Sequence, residues 1–162
     1  MSIDSLQDAF YEELRDIFHA EKQLAKALPK MVKAASSEPL RAAFSSHLKE
    51  TLQHAERLEQ TFAAIGKPAR AKKCEAMEGL IKETTSCLEE DVAADVLDAL
   101  LIACAQKVEH YEIATYGTLC TWAKLLGMNE ALKLLKQNMN DEEVADKKLT
   151  QLSQQINATA NV

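Results

Sequence analysis

Apolar residues recur along the chain at intervals of three and four, the spacing that lines one face of an α-helix, and helix breakers cut the pattern into five segments. The first, about residues 4–35, carries Phe10, Leu14, Ile17, Phe18, Leu24, Ala25 and Leu28 on one face, with Pro29 placed to kink it. Ser36-Ser37-Glu38-Pro39 reads as a turn and a helix start, with Ser37 as N-cap and Pro39 in the first turn. The second helix, about 37–65, buries Leu40, Phe44, Thr51, Ala55, Leu58, Phe62 and Ile65 before Gly66-Lys67-Pro68 stops it. A short amphipathic helix, about 74–89, uses Met77, Leu80, Ile81 and Leu88. The next long helix, about 94–126, is apolar nearly all round and should be the most buried. Gly127 ends it, Asn129 can cap its successor, and the last helix, about 130–158, presents Leu132, Leu135, Met139, Leu149 and Ile156.

Loop lengths choose the topology. Tight turns join the first long helix to the second and the third to the fourth, so each pair should be an antiparallel hairpin, while about 28 residues separate the pairs. A long crossover of that kind distinguishes a ferritin-like four-helix bundle from a simple up-down bundle. The expectation is an all-α, ferritin-like fold over residues 1–162, a single domain whose crossover contains a short extra helix. Composition agrees: there are four Gly, three Pro and 5% aromatic residues, and Ala, Leu, Glu, Lys and Gln are abundant. The formal charge of −6 argues against nucleic acid or an anionic membrane as partner. No apolar run approaches the ~20 residues of a membrane span, and the N-terminus has no basic or apolar leader, so the expectation is a soluble, cytoplasmic protein. Cys74, Cys87, Cys104 and Cys120 are widely spaced and form no zinc-type cluster, which suits ordinary reduced thiols.

The apolar stripes contain acids. Glu109 and Glu112 continue the line of Ile102, Ala105, Tyr116, Cys120 and Ala123, and Glu21 sits between Ile17, Phe18 and Leu24, Leu28. His47, Glu50 and His54 follow the flank of the second helix's stripe; Glu142 and Asp146 fill the gap between Met139 and Leu149, with Glu143 an alternative to Glu142. A buried, unpaired carboxylate costs several kcal/mol, and several converging ones need cations. Two divalent or trivalent ions held by carboxylates and one or two imidazoles resolve the conflict, iron or manganese being the metals such an oxygen-rich sphere accepts. Spacing suggests a repeated hairpin: Glu21 precedes Glu50 by 29 and His54 by 33, and Glu112 precedes Glu142 by 30 and Asp146 by 34. The bland readings stand beside this one. A single Glu in a stripe can reach solvent, either His can be a hydrogen-bonded helix residue, His110 suits a second shell or a subunit contact, and Tyr111 and Tyr116 can be core residues, radical traps or partners of the acids.

The segments AEKQLAKALPKM, SHLKET, KKCEAMEGLI, AQKVEHYEIATYGTL and DEEVADKKL together resemble the YciF family of bacterial stress-associated, ferritin-like proteins, over about residues 5–152. The resemblance implies a ferritin-like bundle with a short extra helix, found as a homodimer. More distantly, Glu109-His110-Tyr111-Glu112 with Glu142 and Asp146 is similar to rubrerythrin, which implies a di-iron centre. Two departures follow the comparison: Glu50 and His54 are four apart where that pattern has three, and an oxygen donor, Asp146, stands where it has a histidine. No rubredoxin-like segment is present, so an electron donor would be a separate protein. The functional expectation is a di-iron, alternatively di-manganese, protein that reacts with peroxide or dioxygen during stress, with Glu21, His47, Glu50, His54, Glu109, Glu112, Glu142 and Asp146 as candidate ligands. The alternative is a structural or interaction bundle with an empty site. The second apolar side of the third long helix, Leu97, Leu100, Cys104, Tyr111, Thr118 and Trp122, must meet the crossover helix or another subunit.

Overall fold

A computed structural model describes residues 3–160. They form five helices: α1 (Leu6–Ala34), α2 (Glu38–Ala64), α3 (Glu75–Glu89), α4 (Ala94–Leu125) and α5 (Asn129–Thr159). The long helices α1, α2, α4 and α5 are each about 40–50 Å at 1.5 Å per residue. Together with the crossover helix α3 they make the ferritin-like arrangement that the loop lengths predict. α1 packs on α2, α4 on α5, α2 on α5 and α1 on α4, so α1 and α5 face each other diagonally, as do α2 and α4.

Polar contacts fix the directions of the helices. The Asp98 carboxylate on α4 accepts from the backbone N–H of Ser36 (2.8 Å) and Ser37 (2.8 Å) and from the Ser36 hydroxyl (2.6 Å), so α2 and α4 start at the same end. Ser37 is the N-cap residue as expected, but its own side chain makes no capping bond; a buried acid from another helix supplies that function. At the opposite end Gly127 turns with φ +69, a left-handed conformation that favours glycine, and the next helix begins at Asn129 itself, with Met128 as cap residue.

The crossover climbs the α1–α4 groove. The Lys72 N–H donates to Arg15 O (3.0 Å) and the Cys74 N–H to His19 Nδ1 (3.1 Å). Tyr111 on α4 donates to Asp16 Oδ1 (2.9 Å) and lies 3.0 Å from Cys74 Sγ. α3 then rests Met77, Leu80, Ile81 and Leu88 on the core and brings Cys87 within 3.9 Å of Cys104. On the second apolar side of α4, Cys104 and Tyr111 are thereby met within the chain, while Leu97, Leu100, Thr118 and Trp122 are half-buried. α4 also carries the longest run of buried positions, as its all-round hydrophobicity predicts.

Candidate metal centre

The acids that interrupt the stripes are buried. Glu21, Glu112 and Glu142 have no exposed surface, Glu109 has 2%, and His47 and His54 are buried beside them. Helix geometry explains the selection: at about 100° per residue, His47, Thr51, His54 and Leu58 fall within a narrow arc and turn inward together, and all four are buried. Ala55 and Ile65, placed on that face by the sequence reading, are half-buried instead. On α5, Leu135, Asn138, Glu142 and Leu149 make the corresponding line. Glu142 is therefore the inward acid, and its neighbour Glu143 is half-exposed outside the cluster.

Two groups of donors share Glu142. His47, Glu109, Glu112 and Glu142 bring one donor atom each to within 4.8 Å of one another, and Glu21, His54 and Glu142 do the same. His47 Nε2 is 3.1 Å from Glu109 Oε1 and 3.8 Å from Glu142 Oε2. His54 Nδ1 is 2.8 Å from Glu142 Oε1 and 3.3 Å from Glu21 Oε1. Glu21 Oε2, His47 Nε2, His54 Nδ1, Glu109 Oε2 and both carboxylate oxygens of Glu112 and Glu142 have no aligned hydrogen-bond partner. Buried polar atoms are nearly always satisfied, so this concentration of orphans fits a cation in their midst.

Two sequence candidates lie outside the groups. Glu50 is partly exposed, at the flank of α2, with its Oε2 3.4 Å from His47 Nδ1. Asp146 is half-buried and accepts from Gln106 Nε2 (3.1 Å), with His110 Nε2 at 3.3 Å. Asp141, which the sequence reading did not single out, stands 3.3 Å from His54 Nε2 and accepts from the Arg57 guanidinium (2.7 Å). Each imidazole thus has a carboxylate on the ring nitrogen that faces away from the cluster. In the neutral imidazole, an N–H toward Glu50 or Asp141 would leave the lone pair of His47 Nε2 or His54 Nδ1 for the interior. Tyr116, fully buried, donates a short hydrogen bond to Glu21 Oε1 and accepts from Asn138 Nδ2 (3.1 Å). Of the roles open to Tyr116, core residue and hydrogen-bond partner of an acid are both seen. Asn138 also accepts from Arg57 (3.0 Å) through Oδ1.

Electrostatics show how the chain holds these groups without a cation. Burial, reinforced by the charge of Glu142, pushes the Glu109 and Glu112 carboxyls well above the ordinary range. Burial also raises Glu21, against the pull of His54. Burial would depress His54, but Glu21 and Glu142 outweigh it, and its pKa is pushed up to about 10. Burial likewise acts to raise Glu142, yet its close approach to His54 and the neighbouring His47 hold it below the usual value. The cluster is therefore organised around a His54–Glu142 pair at 2.8 Å, flanked by acids that burial drives toward the protonated form. Protons and metal ions compete for the same lone pairs.

The domain of unknown function DUF892 matches residues 5–161. Protein YciF of Escherichia coli (strain K12) is 46% identical over 154 residues, which cover 94% of this chain and 93% of that protein. The crystal structure of the E. coli stress protein YciF superposes with a TM-score of 0.94 at 44% identity, covering 97% of this chain and 99% of that one. A protein from Xanthomonas campestris pv. campestris shares the fold, with a TM-score of 0.77 at 16% identity over 95% of both chains. The same chain thus carries the ferritin-like arrangement, the acids buried inside it and a near full-length likeness to YciF, and it belongs to the YciF family, matched by DUF892.

Proposed function

We propose that the buried cluster is a dinuclear metal centre for two iron ions, with manganese the alternative, and that the protein reacts with peroxide or dioxygen during stress. The observation that carries the reading is the convergence of unpartnered carboxylate and imidazole atoms from four helices on one point of the interior. His47, Glu109 and Glu112 would hold one ion, Glu21 and His54 the other, and Glu142 both. Six oxygen-rich and imidazole donors suit iron or manganese better than softer metals. When bound, a pair of such ions supplies one-electron steps to an oxidant. The chain's own part is orientation and proton holding. Glu50 and Asp141 aim the two imidazoles, Arg57 anchors Asp141, and Tyr116 with Asn138 fixes Glu21. In this reading Glu50 and Asp146 act around the centre and not as ligands.

The reading further takes the protein as a cytoplasmic homodimer served by a separate electron donor. Among the described residues Leu52, Leu125 and Val144 are large apolar side chains at least half exposed in the chain by itself, apart from Ile3 near the N-terminus. Sedimentation at twice 18.0 kDa supports the dimer, and a much larger assembly would point to an iron-storage cage instead. For the centre, chelator-stripped protein is titrated anaerobically with Fe(II) and then exposed to peroxide. About two equivalents bound per chain, followed by oxidation, support the reading; refusal of iron at micromolar concentration defeats it. A second reading, a structural or interaction bundle with no metal, is favoured by the His54–Glu142 pair, which lets the cluster stand without a cation. Metal analysis of protein purified without chelators separates the two.

A further inference from the structure

A cleft of about 100 Å³ opens among α1, α2, α4 and α5 and is lined at its inner side by His47 and Glu109. Its other walls are mostly aliphatic, including Leu28, Met31, Val108 and Leu149, with the exposed Val144 at the rim. The clustered side chains differ in access. Glu21, His54, Glu112 and Glu142 are sealed, whereas His47 keeps 6% and Glu109 2% of its surface open, and these two are the clustered side chains that line the cleft. His47 Nε2 and Glu109 Oε2 are also among the buried atoms without a hydrogen-bond partner. The apolar passage thus ends on two side chains that each carry a buried polar atom without a hydrogen-bond partner.

We propose that this cleft is the substrate subsite of the centre and that it takes a small organic hydroperoxide. The alkyl group lies on the aliphatic walls and the O–O end reaches His47 and Glu109; the assignment rests on the dinuclear reading above. Size favours an occupant larger than hydrogen peroxide: a water takes about 30 Å³ of liquid volume, and a dry cavity of about 150 Å³ holds benzene, so this one suits an alkyl group of about four carbons. Hydrogen peroxide has no apolar part for these walls to cover. With the group half covered, the transfer of about four carbons from water favours the organic oxidant by about tenfold. A pair of ferrous ions held there would supply the two electrons that reductive cleavage of the O–O bond needs, two protons would come from solvent, and the products would be the alcohol and water.

The test has two arms. In the first, metal-free protein with labelled methyl groups is titrated with tert-butanol, the unreactive product analogue. Saturable shifts confined to Leu28, Met31, Val108, Val144 and Leu149 support the cleft, and they should be lost in Ala145→Leu, which adds carbons to its wall. Shifts that never saturate, or that scatter over the surface, overturn it. In the second, iron-loaded protein is compared with tert-butyl hydroperoxide and hydrogen peroxide. The ratio of the second-order rate constants for a single oxidation of the ferrous protein should favour the organic oxidant by about tenfold and fall toward one in Ala145→Leu and in Val144→Trp, with iron content monitored. Val144 is exposed, so Val144→Trp keeps the test available where Ala145→Leu fails to fold. No alcohol binding by the unsubstituted protein while its iron uptake is intact overturns the cleft alone; iron refused while the alcohol binds overturns the dinuclear reading and the substrate assignment with it. An unchanged ratio in both variants overturns the proposal.

Discussion

Glu112 offers a quantitative handle on the cluster. It is fully buried, both its oxygens lack partners, and burial with the charges of Glu142, Glu21 and Glu109 pushes its carboxyl well above the ordinary 4.5. The metal-free folded state therefore keeps a proton on Glu112 that the unfolded chain releases above about pH 4.5. Stability contributed by this group is highest at acid pH and falls as pH rises toward the folded pKa, at about 1.4 kcal/mol for each pH unit. Glu112→Gln keeps the shape and removes the titration. In chelated protein the variant should gain on the wild type by that amount per unit from about pH 4.5 upward, which is roughly 3–6 °C in Tm per pH unit for a chain this size. Thermal unfolding followed by circular dichroism at pH 5, 6 and 7 reads the difference, with the exposed Glu59→Gln as a control that shifts neither curve. Iron affinity of Glu112→Gln should meanwhile drop by more than the roughly 10–100-fold typical of losing an outer-shell partner. Wild-type and Glu112→Gln curves that stay parallel across this range would refute the assignment of Glu112 as a buried, proton-bearing acid.

The structure makes four further predictions. Tyr116→Phe leaves Glu21 Oε1 and Asn138 Nδ2 short of a partner and should cost about 1–3 kcal/mol in urea unfolding; a neutral result would show that the tyrosine hydroxyl is not a working partner of Glu21. Asp98→Ala removes three hydrogen bonds from the start of α2 and should cost about 2 kcal/mol, measured the same way, against no loss if the serines cap the helix unaided. Asp141→Asn withdraws the anionic partner of His54 and should weaken iron binding about 10–100-fold in an anaerobic titration; unchanged affinity would remove Asp141 from the site. Cys87 and Cys104, 3.9 Å apart across α3 and α4, should form a disulfide on treatment with diamide, seen as the loss of two hydrogens by mass spectrometry and a stabilisation of about 3 kcal/mol, whereas two thiols that remain titratable contradict the contact.

Much of this was legible in the chain because the fold is helical. A period of 3.6 turns a list of apolar positions into faces, so Glu21, Glu109, Glu112 and Glu142 announced themselves by standing where core residues belong. The two tight turns and the long connection between them gave the topology without any tertiary information. The flanks were harder. Residues three or four apart differ by some 40–60° around a helix, and that angle separates buried His47 and His54 from partly exposed Glu50, and buried Glu142 from half-buried Asp146. Spacing therefore named the right neighbourhood and left open which residue of each turn pointed inward. Asp141 and Arg57 carried no signal: a polar residue on a polar face looks like surface until another helix is laid against it. Asp98 was hidden for the same reason, since its role depends on α2 beginning beside α4.

The central claim is that two metal ions belong among these side chains. Crystals grown anaerobically with Fe(II), measured on both sides of the iron absorption edge, test it most directly. The account predicts two anomalous peaks about 3.5–4 Å apart, one among His47, Glu109, Glu112 and Glu142, the other among Glu21, His54 and Glu142. No anomalous density at that point, with the His54–Glu142 pair intact in iron-soaked crystals, would contradict it.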